Sequence, residues 1–295
     1  MTLAGRFAPS PSGELHVGNL RTAMLAWLFA RSTGRIFLLR VEDLDRARAG
    51  AEAVQLRDLQ AVGITWDGDL VRQTDREYLY ASTIDRLTAA GLAYECFCTR
   101  REIQEAPSAP HAPQGAYPGT CRDLSGPERE VRRALRPAAI RLRSAVTEWT
   151  VADALHGEFT GVVDDFVLRR NDGVAAYNLA VVVDDAEQGI DQVVRGDDLL
   201  PSTPRQAYLA SLLGYAVPEY GHVPLVLNAD GARLAKRDGA VTLGDLAREG
   251  YSAGQVAARV LASLGLPETL DSALAVFDPA RIPREPWIWQ GMAAG

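Results

Sequence analysis

The chain has 295 residues, enough for one large domain or two smaller domains with apolar cores. Its 47% hydrophobic and 23% charged residues are ordinary for a globular protein, and no apolar run reaches the roughly 18 residues that span a bilayer. The net charge of −7 argues against a generic nucleic-acid-binding protein, although a partner can still dock on a local basic patch. The N-terminus lacks a signal-peptide pattern, so we expect a cytoplasmic protein. We also expect the protein to be a monomer.

The N-terminal residues predict a β-α-β unit with two parallel strands. A short strand is expected near Leu3–Ala8, followed by a proline-containing turn. Apolar residues recur at helical spacing from Gly18, and Gly34 is expected to end that helix. The apolar run Ile36–Val41 predicts a buried strand, which ends in an acidic cluster that begins at Glu42.

The middle of the chain predicts a loop-rich insertion and then a return to regular structure. Residues 96–127 contain all three cysteines and several prolines. Ala180–Val183 and Ile190–Val194 are apolar runs bounded by Asp or Gly, which indicates two further strands. A helix is expected to have Pro204 in its first turn and to end at Leu213 before a glycine.

These elements predict an α/β fold, a doubly wound parallel sheet split by an insertion and followed by a small, mainly helical C-terminal domain. We expect a discontinuous Rossmann-like nucleotide-binding catalytic domain at 1–90 and 165–225. The insertion is expected at 91–164. The C-terminal unit, which includes a basic loop and a helical region, is expected at 226–295.

The first motif is the segment RFAPSPSGELHVGN, from Arg6 to Asn19, between the first strand and the helix that follows it. A helix N-terminus presents unpaired N–H groups and the positive end of the helix dipole, which suits phosphate. His16 can donate to phosphate oxygens, and Gly18 allows close approach of the backbone. Taken alone, a proline-rich turn with an incidental histidine is the simpler interpretation.

The second motif is a basic loop after a predicted turn at Asn228–Gly231. Its residues are Arg233, Leu234, Ala235, Lys236 and Arg237. A lysine on such a loop suits charge that develops on phosphates, whereas most basic runs are solvated surface. Lys236 is the single lysine among 31 basic residues, so this position favours a compact ammonium where arginine is otherwise used.

Together the two motifs resemble the paired signatures His-x-Gly-His and Lys-Met-Ser-Lys-Ser of class I aminoacyl-tRNA synthetases. The segments RFAPSPSGELHVGNLRTA, RVEDLDRAR, AYNLAVVVDD and VVRGDDLLPSTPRQ are similar to the glutamyl branch of that class. The resemblance extends from about Arg6 to Lys236. Asn19 and Arg237 depart from the two signatures, and we expect them to affect efficiency more than activity.

The resemblance implies roles for individual residues. It implies that ATP, with Mg²⁺, binds His16, Gly18 and Lys236, and that these residues and Asn19 form the catalytic set. A glutamate pocket needs arginine for a carboxylate and a carboxylate for the ammonium group. By resemblance, the pocket for L-glutamate consists of Arg6, Phe7, Ala8, Pro9, Ser10, Glu42, Tyr177 and Arg195. Without the resemblance, Glu42 could equally be a surface acid, and Tyr177 would be a core residue.

The clustered cysteines Cys96, Cys98 and Cys121 indicate a metal site, since thiolates suit Zn²⁺. The alternative is three reduced structural thiols. A structural zinc site needs a fourth ligand, for which His111 is chemically common and Tyr117 unusual. The pattern Cys-x-Cys, Tyr-x-x-x-Cys resembles the zinc site of a glutamyl-queuosine branch, which implies one structural zinc with Tyr117 as the fourth ligand.

Only 55 residues follow Ala240, too few for an anticodon-binding domain of ordinary size. This points to the same short branch, whose members attach glutamate to queuosine in the anticodon stem-loop of tRNA(Asp). The resemblance also implies that the helical region of 226–295 contacts the stem. Three alternatives remain open. The chain could charge a tRNA 3′ end, pass glutamate to another carrier, or be an inactive tRNA-binding paralogue.

Overall fold

The computed structural model describes residues 3–105, 117–234 and 241–292. The strands are β1 (Ala4–Phe7), β2 (Ile36–Val41), β3 (Val71–Arg72), β4 (Ala93–Cys96), β5 (Ala139–Leu142), β6 (Glu148–Asp153), β7 (Gly157–Val162), β8 (Val167–Arg169), β9 (Ile190–Gly196), β10 (Glu219–Val223), β11 (Val226–Leu227) and β12 (Trp287–Ile288). The helices are α1 (Val17–Ser32), α2 (Ala51–Ala61), α3 (Glu77–Ala89), α4 (Arg100–Glu105), α5 (Gly126–Arg133), α6 (Tyr177–Glu187), α7 (Thr203–Leu213), α8 (Leu243–Arg248), α9 (Ala253–Ala262) and α10 (Leu270–Leu274).

The main sheet has seven strands in the order β3-β2-β1-β9-β10-β6-β7. Its strands are parallel except for the antiparallel pair β6 and β7. Arg6 lies opposite Leu38, and Arg195 lies opposite His222. The carboxyl ends of β1, β2, β9 and β10 therefore meet at one edge, where open α/β sheets bind their ligands.

Helix α1 is apolar around most of its circumference because it is covered on both sides. It packs on β1 and β9 and also against α9 and α10. His16 is its N-cap residue, and Asn19 completes a reciprocal capping box with His16. The helix start is thus fixed by two residues of the first motif.

Several sequence-based predictions are confirmed. The first strand, helix α1 and strand β2 occupy the expected positions. Helix α7 has proline in its first turn and ends at Gly214, whose φ of 72° provides the left-handed C-cap. The mixed α/β class with a parallel sheet is also confirmed.

The strand predicted at Ala180–Val183 is wrong, because these residues lie inside α6. The helix packs against α3 and α7 as well as strands, so its central valines are buried on every side. A helix without a solvated face shows no 3.6-residue pattern, and a valine run then resembles a strand.

The middle segment contributes to two sheets. Strands β4, β5 and β8 form a separate three-stranded antiparallel sheet beside the cysteines. Strands β6 and β7 extend the main sheet through β10, although they lie within the range 91–164 expected for the insertion. The domain boundaries stay a prediction.

The C-terminal segment is mainly helical and returns to the core. Helix α9 packs against α1 and α2, and β12 pairs with β11. Among the described residues, no helix combines the length and the apolar character needed to cross a bilayer.

Candidate active site

Two arginines lie at the carboxyl ends of the neighbouring strands β1 and β9. Arg6 and Arg195 are 4% and 5% exposed, so both guanidinium groups are largely removed from water. Arg6 donates from Nη1 to the carbonyl of Val194 at 3.4 Å, and its Nε lies 3.4 Å from Oδ1 of Asp185. Buried guanidinium groups at a ligand-binding edge suit recognition of a carboxylate.

The guanidinium group of Arg195 contacts a protein partner through each of its three nitrogens. Nε donates to Nε2 of His222 at 3.0 Å, Nη2 to Oγ1 of Thr203 at 2.9 Å, and Nη1 to the hydroxyl of Tyr177 at 3.4 Å. These contacts come from β10, α7 and α6. The orientation of the group is thus set by three different elements.

Glu42 follows β2 and lies within range of the charges of Arg40 and Arg6. Its backbone N–H donates to the carbonyl of Pro9 at 2.9 Å, which joins it to the first motif. Burial raises the pKa of Glu42, and the charges of Arg40 and Arg6 oppose this increase. An acidic side chain at this place can pair with an ammonium group.

A fully buried arginine on β2, Arg40, neutralises the carboxylates behind the site. Its Nη1 lies 2.9 Å from Oδ1 of Asp185, and its Nη2 lies 3.5 Å from Oε1 of Glu42. Burial alone would lower the pKa of Arg40, but the surrounding carboxylates raise it above its ordinary value. For the acidic side chain of Asp185 burial has the opposite effect and would raise the pKa, but the charges of Arg6 and Arg40 hold this pKa below its usual range.

The neighbouring carboxylate, Asp184, is also fully buried. It accepts hydrogen bonds from Nε2 of Gln73 at 2.8 Å, Nε of Arg76 at 2.6 Å and the hydroxyl of Tyr80 at 2.9 Å. Arg40 lies 3.6 Å away through its Nε. Sequence reasoning missed this network, although charged residues within the apolar runs of β2 and α6 were a signal for it.

Tyr177, the first residue of α6, covers the site from one side. The residue is 40% exposed, so it is not the core residue that its type alone would suggest. Its hydroxyl nevertheless points to Arg195, and burial of this group raises the pKa of Tyr177. The structure therefore brings Arg6, Glu42, Tyr177 and Arg195 together as predicted neighbours.

The predicted segment Phe7–Ser10 begins at the last residue of β1 and leads toward α1. Phe7 belongs to the main core, Pro9 is buried, Ala8 is partly buried and Ser10 is exposed. The carbonyl of Ser10 accepts from Nε2 of Gln55 at 3.0 Å, which fixes the turn to α2.

His16 is held in one ring orientation at the start of α1. Its Nδ1 accepts the backbone N–H of Asn19 at 3.2 Å, and Oδ1 of Asn19 accepts the backbone N–H of His16 at 3.2 Å. Burial lowers the pKa of His16, which favours the neutral ring. Because Nδ1 accepts from Asn19, the proton of the neutral ring lies on Nε2 and can be donated. Gly18 packs against this ring.

The residues Val241 and Thr242, which follow the second motif, lie close to the first motif. Val17 donates its backbone N–H to the carbonyl of Val241 at 2.8 Å, and His16 forms an antiparallel bridge with Thr242. Leu234, within the second motif, is buried in the main core. The described chain that follows the second motif thus begins next to His16.

The basic loop itself is described only in part. Arg233 is exposed and pairs with Asp198 at 2.9 Å, just after β9. The predicted turn is confirmed, since Gly231 has a φ of 73° and Oδ1 of Asn228 accepts the N–H of Ala232 at 2.8 Å. Ala235, Lys236 and Arg237 lie outside the described residues.

Three thiols converge at the end of β4. The sulfur atoms of Cys96, Cys98 and Cys121 lie within 4.8 Å of one another, and Cys96 and Cys121 are buried. Burial raises the pKa of the Cys98 thiol to about 12, although a hydrogen bond with Tyr117 opposes it. The arrangement matches the donor set of a structural metal site.

Tyr117 lies beside the thiols and offers a further ligand atom. Its phenolic oxygen lies 3.3 Å from Sγ of Cys96 and 3.7 Å from Sγ of Cys98, and accepts the N–H of Cys121 at 2.8 Å. Arg141 stacks on its ring at 3.7 Å. His111, the other predicted ligand, lies outside the described residues.

Comparison with known proteins assigns the family. The model of the catalytic domain of class I tRNA synthetases for E and Q, that is glutamate and glutamine, matches residues 2–275. The chain belongs to the glutamyl and glutaminyl class I tRNA synthetases. It is therefore a ligase of the aminoacyl-tRNA synthetase type, as the motifs predicted.

Relatives within this synthetase family have a more specific name. A protein named glutamyl-Q tRNA(Asp) synthetase from Nocardia farcinica (strain IFM 10152) is 68% identical over 287 residues, which are 97% of this chain and 92% of that protein. A protein of the same name from Cutibacterium acnes (strain DSM 16379 / KPA171202) is 52% identical over 289 residues, covering 96% and 82%. The predicted resemblance to this branch is confirmed.

A solved structure supports the synthetase fold. The crystal structure of a glutamate tRNA ligase from Elizabethkingia meningosepticum CCUG26117 in complex with its amino acid has a TM-score of 0.83 and 29% identity. The match covers 98% of this chain and 67% of that chain. The class I synthetase fold predicted from the motifs is confirmed.

Proposed function

We propose that this synthetase activates L-glutamate with ATP, without tRNA, and transfers it to the queuosine cyclopentenediol in the anticodon of tRNA(Asp). The observation that supports glutamate is the meeting of Arg6, Arg195 and Glu42 at one sheet edge. L-glutamate has two carboxylates and one ammonium group. Two guanidinium groups and one carboxylate match these charges group for group.

Activation forms one bond and breaks another. A substrate carboxylate oxygen attacks the α-phosphorus of ATP, and the bond from that phosphorus to the bridging oxygen breaks to release pyrophosphate. His16 donates from Nε2 to a phosphate oxygen, while Lys236 balances the charge that develops on the phosphates. The contact between Val17 and Val241 supports this pairing, because it places the chain beside the second motif next to His16.

Gly18 and Asn19 support ATP binding through their contacts with His16. Gly18 leaves room for the His16 ring, and Asn19 fixes Nδ1 of that ring. Magnesium bound with ATP would neutralise part of the phosphate charge. No protein nucleophile is needed, because positioning and electrostatics lower the barrier.

The transfer step uses the glutamyl-adenylate as acyl donor. A hydroxyl oxygen of the cyclopentenediol attacks the activated carbonyl carbon, AMP leaves, and the hydroxyl proton is released. The names of the relatives from Nocardia farcinica and Cutibacterium acnes support this acceptor. A splayed-out anticodon nucleotide can be recognised individually, as RNA-binding proteins commonly do.

We further propose that Cys96, Cys98, Cys121 and Tyr117 hold one structural zinc ion. Three clustered thiols with a phenolic oxygen 3.3 Å from Sγ of Cys96 fit a closed four-ligand site. Zinc would hold the end of β4 against the segment Tyr117–Cys121. Asp164 connects this site to α7. It accepts the N–H of Tyr117 at 3.1 Å and pairs with Arg205 of α7 at 2.7 Å.

Two assays test the proposed function. Glutamate-dependent exchange of pyrophosphate into ATP should occur in the absence of tRNA, and its appearance only after tRNA is added would contradict the proposal. Labelled glutamate should then be transferred to tRNA(Asp) that contains queuosine, and neither to tRNA(Asp) without the modification nor to tRNA(Glu).

The second candidate function is charging of a tRNA 3′ end, which the similarity to a glutamate tRNA ligase favours. Removal of the terminal adenosine by a 3′ exonuclease before charging separates the two candidates. Glutamate is still transferred to the anticodon base of the shortened tRNA, because the exonuclease leaves the cyclopentenediol of queuosine intact. Label that requires an intact terminal ribose would establish the second candidate instead.

A further inference from the structure

A buried histidine lies directly opposite Arg195 on the neighbouring strand. His222 of β10 is the register partner of Arg195 in β9, and its side chain is fully buried. Nε2 of His222 lies 3.0 Å from Nε of Arg195, and Nδ1 lies 2.6 Å from Oδ2 of Asp153 at the end of β6. These three residues form a continuous chain of hydrogen bonds across three strands.

The proton positions along this chain follow from the chemistry of its ends. An ionised carboxylate can only accept, so Nδ1 of His222 is the protonated nitrogen. A guanidinium group can only donate, so Nε2 of His222 accepts from Arg195. Thr203 closes the arrangement, since its Oγ1 accepts from Nη2 of Arg195 at 2.9 Å and lies 3.1 Å from the same Nε2.

Asp153 is itself fixed by the backbone around it. Its Oδ1 accepts the N–H groups of Leu155 at 2.9 Å and His156 at 3.0 Å, and its Oδ2 accepts the N–H of His222 at 3.1 Å. Burial would raise the pKa of Asp153, but these bonds and His222 hold it below its usual range. The carboxylate is therefore an ionised acceptor with a fixed position.

We propose that Asp153 and His222 are positioning residues that fix the guanidinium plane of Arg195 for the carboxylate of the substrate. The inference rests on the proposed glutamate pocket, in which Arg195 contacts substrate directly. His222 accepts from Nε, Thr203 accepts one N–H of Nη2, and Tyr177 accepts one N–H of Nη1. One N–H on each terminal nitrogen therefore remains for a substrate carboxylate. A guanidinium group recognises a carboxylate through a planar pair of donors, so a tilt of this plane weakens the interaction.

Protonation of His222 would reverse the arrangement. An N–H on Nε2 would face the N–H of Arg195, and the bond between them would be lost. Three charged or titratable side chains face His222, namely Asp153, Arg195 and His156. Nε2 of His156 lies 3.0 Å from the His222 carbonyl oxygen. The ring of Tyr220 stacks on that of His222, with 6.1 Å between the ring centroids. Burial lowers the pKa of His222, Asp153 opposes this, and Arg195 and His156 add to it.

The test compares two amide substitutions at position 222. The Gln side chain in His222→Gln places an acceptor near the position of Nε2, whereas the Asn side chain in His222→Asn reaches only the position of Nδ1. Asp191→Asn is the control, because Asp191 pairs with Arg35 at 2.7 Å at the opposite end of β9. Pyrophosphate exchange is measured with glutamate and ATP varied separately, and thermal unfolding verifies the fold of each variant.

We expect His222→Asn to raise the KM for glutamate roughly tenfold to hundredfold while the KM for ATP stays unchanged. His222→Gln and Asp191→Asn should keep the wild-type KM for glutamate. In the wild type this KM should also rise at acidic pH, and His222→Gln should lose the part of that rise which comes from His222. Asp153→Asn should raise the KM for glutamate as well, because the carboxylate no longer determines the tautomer.

The outcomes separate the inference from the proposed function. Absence of glutamate-dependent exchange in the wild type would contradict the proposed function. An active wild type with an unchanged KM for glutamate in His222→Asn and Asp153→Asn would overturn the inference alone, as would an equal rise in the KM for ATP. If His222→Asn does not fold, a His222→Gln variant whose pH profile equals that of the wild type overturns it.

Discussion

Gly18 is in direct contact with the ring of His16: a Cβ added at Gly18 would lie 2.9 Å from Cε1 and 3.0 Å from Nδ1 of that ring. Gly18→Ala should therefore displace the ring and weaken its contact with ATP phosphates. We expect the kcat of pyrophosphate exchange to fall by roughly 10²-fold, the loss typical of a misplaced catalytic group.

Gly254→Ala is the matched control for this substitution. Gly254 lies in α9, and the nearest atom to an added Cβ is Oγ of Ser252 at 3.9 Å. This variant should keep full activity. A Gly18→Ala enzyme with the wild-type kcat would show that the His16 ring position is not required.

Glu42→Gln should raise the KM for glutamate by roughly 10- to 100-fold, the usual value of a charge-assisted hydrogen bond. Burial raises the pKa of Glu42, so the wild-type residue takes up a proton at a higher pH than an ordinary glutamate. A protonated Glu42 no longer pairs with the ammonium group, and the KM should rise as the pH falls through that raised pKa. Its dependence on pH should be weaker in the variant, and an unchanged profile would contradict the assigned role.

Arg40→Met should lower the free energy of unfolding by about 3–5 kcal/mol, because it leaves Asp184, Asp185 and Glu42 buried without their shared cation. Urea unfolding measures the change. Arg281→Met is the control, since Arg281 is exposed and lies 3.6 Å from Asp278, and an exposed pair contributes about 1 kcal/mol at most. Equal losses in the two variants would contradict a special role for burial.

Purified protein should contain about one zinc ion per chain, and Cys98→Ser should lose both the metal and several degrees of melting temperature. Metal analysis and thermal unfolding measure these effects. Tyr117→Phe should also lower the zinc content, whereas His111→Ala should not. The opposite result for these two variants would assign the fourth ligand to His111, and protein prepared without chelator that lacks zinc would contradict the site.

Lys236→Ala should lower the kcat of pyrophosphate exchange by roughly 10²- to 10³-fold with little change in the KM for glutamate, because the lysine acts on charge in the transition state. Lys236→Arg should also be impaired, since a planar guanidinium group does not replace a compact ammonium. An arginine variant with the wild-type rate would remove the significance of this lysine among 30 arginines.

The positions of Arg6, Glu42 and Arg195 at strand ends could be predicted from local rules, whereas their role in a glutamate pocket rested on the resemblance to the glutamyl synthetases. An apolar run predicts a buried strand, and ligands bind at the carboxyl ends of parallel strands. The start and end of α7 were equally local, given by a proline and a glycine. Such signals are contained in a few neighbouring residues.

The charge network around Arg40 could not be predicted in the same way. Its partners come from β2, α3 and α6, which are distant in sequence and meet only in the folded chain. The misassigned strand at Ala180–Val183 hid it further, because Asp184 and Asp185 then appeared to end a strand rather than to project from a buried helix. The pairing of His222 with Arg195 likewise depends on the register of two strands.

Strand β11, which precedes the basic loop, is paired by β12, which lies near the C-terminal end of the sequence. Trp287 donates its N–H to the carbonyl of Leu225 at 3.0 Å, and Trp289 donates to that of Leu227 at 2.8 Å, directly before the turn that leads to the basic loop. During synthesis the ribosome must therefore produce residue 289 before this ladder can close. Until then, the segment between β10 and the loop has unpaired backbone groups that a chaperone or another strand can bind.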